Sequence, residues 1–325
     1  MDYLTAPYLH LFYPFQSVET AQKLLKTCYQ KQQIDQFEQK SYNNAYSFIY
    51  YVEHGLTYLQ QSSNTPTSIK PVLMFYGMVQ LIKACLLTVD PCYPESTSVL
   101  AHGVSTRKRK KQSYEFLQDE VKVQKNGLFS HFSDKMFHVK QIEGTKYSMR
   151  DLLFSIPELE TSIKITKNKS PFLAVGRVGD TFIRVPQSIL DDYKMTKDRF
   201  IQHFQKQTSF VYDSMKEEAF HFNEINYPRS CHYSPLLYNH EKSTLYIPRK
   251  KEQLTFFPEI LSYYLLLYNL SMICRYETEW WGELLHTFHS SDLSLINHFL
   301  HVATVKIPFY LHGYLLSTFD IDCEV

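Results

Sequence analysis

Two stretches, one near each end of the chain, are apolar on almost every face that a helix can present, and they limit the possible folds most. The first runs from Pro71 to Val89 and carries Val72, Leu73, Phe75, Met78, Val79, Leu81, Ile82 and Leu86. Proline suits the first turn of a helix, where its missing N–H would be unpaired anyway. Pro91 and Pro94 end the segment. The second stretch opens at Pro258 and continues to about Arg275. A helix with no polar face has no side to leave in water, so both should be central and buried. The arrangement that satisfies both packs the terminal helical regions together around one core.

The most hydrophobic part, Ile260 to Cys274, spans about 15 residues, short of the roughly 20 that a bilayer requires, and it carries Asn269 and several tyrosines. No membrane span is expected. The start, Met1-Asp2-Tyr3-Leu4, has neither the basic stretch nor the apolar run of a signal peptide. Cys28, Cys85, Cys92, Cys231, Cys274 and Cys323 are dispersed without a C-x-x-C pair. A cytoplasmic protein is the expectation.

The remaining elements follow from capping and periodicity. Ser17 can cap a helix carrying Val18, Ala21, Leu24, Leu25 and Cys28 at three-four spacing. Another helix is expected from about Asn44 to Gln61. Between residues 95 and 145 the pattern changes to an exposed loop, a short helix or strand, and a hairpin-like turn at Asn126-Gly127. Further along, Met149 to Phe154 is expected to be helical, and so is the segment from Thr196 to about Gln207. Phe172 to Val175 and Thr181 to Val185 flank Gly179-Asp180, which reads as a hairpin. Phe210 to Tyr212 and Ala219 to Phe222 look strand-like, and Leu236 to Tyr238 should pair with Thr244 to Ile247. Helices at Trp280 to His289, Leu293 to Val302 and Pro308 to Ser317 complete the chain. The expected fold class is α+β and predominantly helical. Residues 1–94 form an N-terminal helical region, 95–257 a mixed region with a basic loop, and 258–325 a C-terminal helical region packing on the first. No linker separates them, so one compact unit is expected.

Composition excludes more functions than it suggests. With only 9 glycines the chain is a poor candidate for a doubly wound nucleotide fold, whose phosphate loops need backbone freedom. Its 34 basic residues nearly balance 33 acidic ones, whereas a dedicated duplex-DNA binder usually carries a basic excess. Neither a G-x-x-x-x-G-K-[ST] loop nor a G-x-S-x-G elbow occurs. Among the 14 histidines, Glu218/His221 and Glu283/His286 have the Glu-x-x-His spacing of carboxylate metal sites. Composition alone supplies about one such pair, and the first pair lies in a strand-like segment that would separate its faces. No metal, no cofactor and no catalytic residue is assigned.

Two segments stand out as candidate binding sites. Arg107-Lys108-Arg109-Lys110-Lys111 is the one long charge run, and His102, Ser105 and Thr106 precede it. Such a run is most simply a solvated loop. Hydroxyls, backbone amides and Arg107 together also suit a phosphate or an acidic partner. The other segment is Cys274-Arg275-Tyr276 with Trp280, where the apolar helix ends. An arginine suits a helix C-terminus. The plain reading is a packed corner, and the tryptophans also suit an interface.

Three features together resemble the YaaC-like proteins of Bacillus and relatives. They are Leu100 to Gln112 with the basic run, Glu115 to Phe129 with Asn126-Gly127, and Arg275-Tyr276 followed by Trp280. In that family the gene commonly lies beside that of IMP dehydrogenase, which implies a role near guanine nucleotide supply. The resemblance thus implies a non-catalytic binding or regulatory protein whose partner is a purine nucleotide or IMP dehydrogenase. The apolar helix ending in Arg-Tyr also resembles the bundles of HEPN proteins, many of them ribonucleases or antiphage toxins. That likeness implies the alternative, a divergent HEPN-type ribonuclease or defence effector. HEPN catalysis uses an Arg followed after four to six residues by His. Arg199/His203 and Arg229/His232 are too close, and Arg275 meets no His at that distance. RNA is therefore the less expected partner.

Overall fold

A computed structural model describes residues 8–106, 114–224, 234–287 and 291–321. The first half contains α1 (Val18–Lys31), α2 (Phe37–Ser63), α3 (Lys70–Val89), β1 (Val104–Thr106), β2 (Glu120–Val123), α4 (Leu128–Phe137), β3 (Lys146–Ser148) and α5 (Met149–Leu153). The middle adds α6 (Glu160–Lys167), β4 (Phe172–Arg177), β5 (Phe182–Pro186), α7 (Ile189–Tyr193), α8 (Lys197–Gln207), β6 (Phe210–Lys216), β7 (Ala219–Glu224), β8 (Leu237–Asn239) and β9 (Thr244–Pro248). Helices α9 (Glu259–Tyr276), α10 (Thr278–Thr287) and α11 (Asp292–Thr318) close the chain. The fold is α+β and mainly helical, with three small antiparallel sheets ordered β1-β2-β3, β4-β9-β8 and β5-β7-β6.

The chain divides into two compact units. A terminal unit joins Met1–Arg150 to Tyr263–Val325, and a middle unit comprises Asp151–Ser262. In the terminal unit α3 packs against α2 on one side and α11 on another. The close approach of α2 and α3 depends on two glycines. A Cβ on Gly55 would lie 2.7 Å from the Leu81 side chain, and one on Gly77 2.8 Å from Leu59. Both apolar helices are buried as their patterning requires: Leu81 is 1% exposed, and no residue from Ile260 to Ser271 reaches solvent appreciably. Among the described residues α3 is the one helix long and apolar enough to cross a membrane, and most of it lies inside the unit.

In the middle unit the β5-β7-β6 sheet turns Ile183, Val185, Phe220 and Phe222 inward. The apolar face of α8 supplies Phe200, 5.1 Å from Phe220 between ring centres, and Phe204, 4.5 Å from Phe222.

Four expectations are corrected. Helix α2 begins about two turns before Asn44, because Ser41 and Ala45 are already buried. Asn126-Gly127 is no hairpin turn but the entry to α4. Gly127, at φ 136°, crosses Gly103 so closely that a Cβ would lie 2.2 Å from the Gly103 Cα. The turn at Gly179-Asp180 exists, with the Asp180 carboxylate accepting the Arg177 N–H at 2.8 Å. Its flanking strands nevertheless join different sheets, β4 with β9 and β5 with β7, because each finds its ladder there. Finally, the two helices expected at Leu293 and Pro308 are one. Burial of Phe299, Leu300, Ala303, Ile307, Leu311 and Leu315 on both sides of Pro308 outweighs the missing N–H, which costs about 3 kcal/mol.

Candidate functional site

Pattern and packing place an aromatic, positively charged site on the terminal unit. On α3, Tyr76 and Lys83 are seven residues apart and therefore share a face. Across the glycine-lined α2–α3 contact, Tyr58 and Tyr51 have the same spacing on α2. The Tyr58 ring lies 6.1 Å from that of Tyr76, and Lys83 Nζ sits 5.5 Å over the Tyr51 ring. Both pairs are half-buried.

His102 enters from the loop before β1. Its carbonyl oxygen accepts the Tyr264 hydroxyl at 2.9 Å and the Phe129 N–H at 3.2 Å, which fixes its backbone. Its imidazole sits among rings, 5.0 Å from Phe75, 5.6 Å from Tyr268 and 6.3 Å from Tyr76. Neither ring nitrogen has a hydrogen-bond partner among the described residues. Partial burial, then the positive charges of Arg275 and Lys83, hold the imidazole below its ordinary pKa of 6.5. The ring is therefore neutral at physiological pH.

Arg275 lies in the last turn of α9. It donates from Nη1 to the Tyr76 hydroxyl at 3.2 Å and from Nε to the Ser271 carbonyl at 3.0 Å. Its Nη2 points to the Met272 sulfur at 3.4 Å, a weak acceptor. The guanidinium also lies 5.8 Å over Tyr76 and 5.1 Å over Tyr276. No carboxylate pairs with Arg275 or Lys83 among the described residues, and burial pushes the Lys83 ammonium down from its ordinary value. Two half-buried cations and a neutral imidazole thus lie against a wall of rings.

The structure thus brings together His102 and Arg275, which lie 173 positions apart in the sequence. Trp280 does something else. Its ring meets Tyr114 edge to face at 4.3 Å, while Trp281 donates to the Ser68 carbonyl at 2.9 Å and Cys274 to the same oxygen at 2.7 Å. That segment is the packed corner. Ser105 and Thr106 belong to β1, where the Ser105 hydroxyl accepts from Gln124 at 2.6 Å. Arg107, Lys108, Arg109, Lys110 and Lys111 lie outside the described residues, as does Cys231-His232. Glu218 lies in the β6–β7 turn and His221 in β7, so the first Glu-x-x-His pair is not helical. Among the described residues no three His, Cys, Asp or Glu side chains gather into a metal site.

A family model of YaaC-like proteins matches residues 13–315, nearly the whole chain. The chain belongs to the YaaC-like family. No curated protein and no solved structure matches it.

For this YaaC-like chain, sequence reading had identified two of the site's residues and missed Tyr51, Tyr58, Tyr76, Lys83 and Tyr268. The signal for Lys83 was available: it is the one charged residue between Pro71 and Val89. A lone lysine within an apolar helix must find water, a partner or a ligand. The tyrosines carried no such signal in a chain with 25 of them.

Proposed function

We propose that this YaaC-like protein is a non-catalytic binding or regulatory protein that takes a purine nucleotide at the site around His102 and Arg275. The observation that supports it most is the half-buried Arg275 with no carboxylate partner among the described residues, set against aromatic rings. Removing a charge from water without a partner is costly, so such a charge is best explained by a ligand that neutralises it. Guanidinium groups fork onto phosphate oxygens, and tyrosine faces stack on bases. A neutral imidazole adds a donor and an acceptor at the same place. Family resemblance supplies the setting, guanine nucleotide supply, and IMP dehydrogenase as the protein partner.

Titration calorimetry of the full chain with GMP and IMP, and co-precipitation with IMP dehydrogenase, test this reading. Wild type should bind a nucleotide, and Arg275→Met should weaken that binding at least about tenfold, the value of one lost charge-assisted contact. Failure of both nucleotides and of IMP dehydrogenase to bind wild type would remove the proposal.

One observation favours a second reading. A neutral His102 near Arg275 combines a proton acceptor with a phosphate-binding cation, which phosphodiester cleavage also uses. This is the divergent HEPN-type ribonuclease or defence effector. Incubation with mixed RNA and divalent metal separates the two. Binding predicts no turnover, whereas cleavage abolished by His102→Ala would replace binding with catalysis.

A further inference from the structure

Helix α2 carries an aromatic face turned to solvent. Its contacts with the rest of the unit lie on the other side: Gly55 packs against Leu81 of α3, the Phe48 ring meets that of Phe15, and Asn44 donates to the Tyr29 hydroxyl of α1 at 3.0 Å. At about 3.6 residues per turn, Gln39, Tyr42, Tyr46, Tyr50 and Glu53 fall within about 40° of one line along the opposite side. All five are exposed, the tyrosines at 57%, 49% and 56% in chain order. The rings of Tyr46 and Tyr50 lie 6.3 Å apart. Tyrosine offers a large contact area while losing only two side-chain torsions, and protein interfaces are enriched in it for that reason.

We propose that this face is the contact of a two-fold dimer of the chain, with the two copies of α2 antiparallel about Tyr46. The face is complementary to itself. Tyr42 and Tyr50 stand four residues to either side of Tyr46, and Gln39 and Glu53 seven to either side. Antiparallel crossing at Tyr46 therefore sets Tyr46 against its own copy, Tyr42 level with Tyr50, and Gln39 level with Glu53, as an isologous contact requires. The Gln39 amide can then donate to the Glu53 carboxylate of the other copy. Glu53 is the one charged residue on that line. Its two copies would stand 14 residues apart along the helices, about 21 Å, well beyond the screening length of about 8 Å. Parallel helices would instead set the two carboxylates side by side. A tyrosine buries about 150–250 Å² in full, and about half of each is open here, so the six tyrosines supply roughly 600 Å². That lies below the roughly 1,200 Å² of the smaller stable interfaces, so the dimer is weak and exchanges with monomer. This inference is independent of the nucleotide reading.

Sedimentation equilibrium of the full chain, from about 1 to about 200 μM, should show wild type passing reversibly from monomer to dimer. Tyr46→Glu sets two carboxylates against each other on the axis and should raise the dissociation constant at least about tenfold, whereas Tyr46→Phe should leave it within about threefold of wild type. Thermal melting of each variant checks that it is folded. Single cysteines read the register under mild oxidation, with the parent chain as the control for its own thiols. Tyr46→Cys should couple to itself, and Tyr42→Cys should couple to Tyr50→Cys when the two are mixed but not to itself. A chain that stays monomeric at the highest concentration, or a dimer that folded Tyr46→Glu leaves intact, overturns the proposal. Tyr42→Cys coupling to itself as readily as Tyr46→Cys does would mark parallel helices and overturn it equally.

Discussion

Two half-buried arginines, one in each unit, are used in opposite ways. In the middle unit Arg249 pairs with Asp192, and Lys169 reaches the same carboxylate at 3.3 Å. Glu160 in that unit takes Lys242 at 3.5 Å, Lys164 at 3.8 Å and the Ser170 hydroxyl at 2.7 Å. Those charges hold α6, α7 and the β4-β9-β8 sheet in place, and the pairing uses them up. In the terminal unit Arg275 is also half-buried, but among the described residues it meets a hydroxyl, a carbonyl, a thioether and the faces of Tyr76 and Tyr276 rather than a carboxylate. The first arginine is spent on structure. The second has no carboxylate partner among the described residues, which is what the proposed ligand would supply. Burial of a cation therefore does not distinguish structural from functional residues; the presence or absence of its counter-charge does.

The largest expected effect attacks the scaffold beneath that contrast. Leu81→Ala on α3 and Leu266→Ala on α9 should each destabilise the terminal unit by about 2–5 kcal/mol, since each empties a fully buried position. Both tryptophans, Trp280 and Trp281, lie in the terminal unit and none in the middle one. Tryptophan fluorescence during urea unfolding therefore reads the terminal unit, and far-ultraviolet circular dichroism reads both. A shift of less than about 1 kcal/mol in fluorescence for both variants would show that the apolar helices are not the core of the unit.

A smaller effect sharpens the comparison directly. Arg249→Met leaves the partly buried Asp192 with Lys169 alone and should cost about 1–3 kcal/mol, the range for hydrogen bonds to charged groups. The loss should show in the dichroism transition rather than in fluorescence. Arg275→Met removes a desolvated charge that has no counter-ion, so stability should change by no more than about 0.5 kcal/mol while nucleotide binding is lost. Equal destabilisation by the two substitutions would erase the distinction between a structural and a ligand-directed arginine.

What the sequence made legible follows from the range of each interaction. Helices α1, α3, α8 and α9 were readable because capping by Ser17, proline at a first turn and three-four periodicity act within a few residues. The pairing of β8 with β9 across a short polar turn was local and readable too. The β4–β9 and β5–β7 pairings were not, because their partners are distant in sequence and the turn at Gly179-Asp180 suggests the nearer choice. Pro308 misled for a related reason: its cost is local, whereas the packing that outweighs it is contributed by the rest of the terminal unit. At the site, His102 and Arg275 were each singled out locally, but their meeting depends on the Gly103–Gly127 crossing and on how α9 lies beside α3. Spacing within one segment cannot carry that, so no Arg-to-His interval along the chain marks the pair.

The smallest expected effect concerns protons and bears on the same contrast. His102 and His312 of the terminal unit are both held below the ordinary histidine value of 6.5, chiefly by desolvation. Below that value an unfolded chain takes up protons that the native unit refuses. Their contribution to stability is therefore fully present above about pH 6.5 and is lost as pH falls through the depressed folded values. Asp90, whose carboxyl is also held below its ordinary value of 3.8 by its bond to His131 despite the opposing effect of burial, loses its contribution only at more acid pH and does not interfere. Fluorescence-detected unfolding at a series of pH values between about 7.5 and 5 should show the terminal unit weakening toward acid, with a shallower slope in His102→Gln and the remainder due to His312. A bound anion should act in the opposite sense, because negative charge beside Lys83 and Arg275 cancels part of what keeps His102 unprotonated. GMP takes up its own second proton at about pH 6, which steepens both slopes alike; saturating GMP should therefore shrink the difference between the wild-type slope and that of His102→Gln. A slope difference between the two proteins that is identical with and without GMP, in a protein that calorimetry shows to bind it, would place the nucleotide away from His102 and break the link between Arg275 and its ligand.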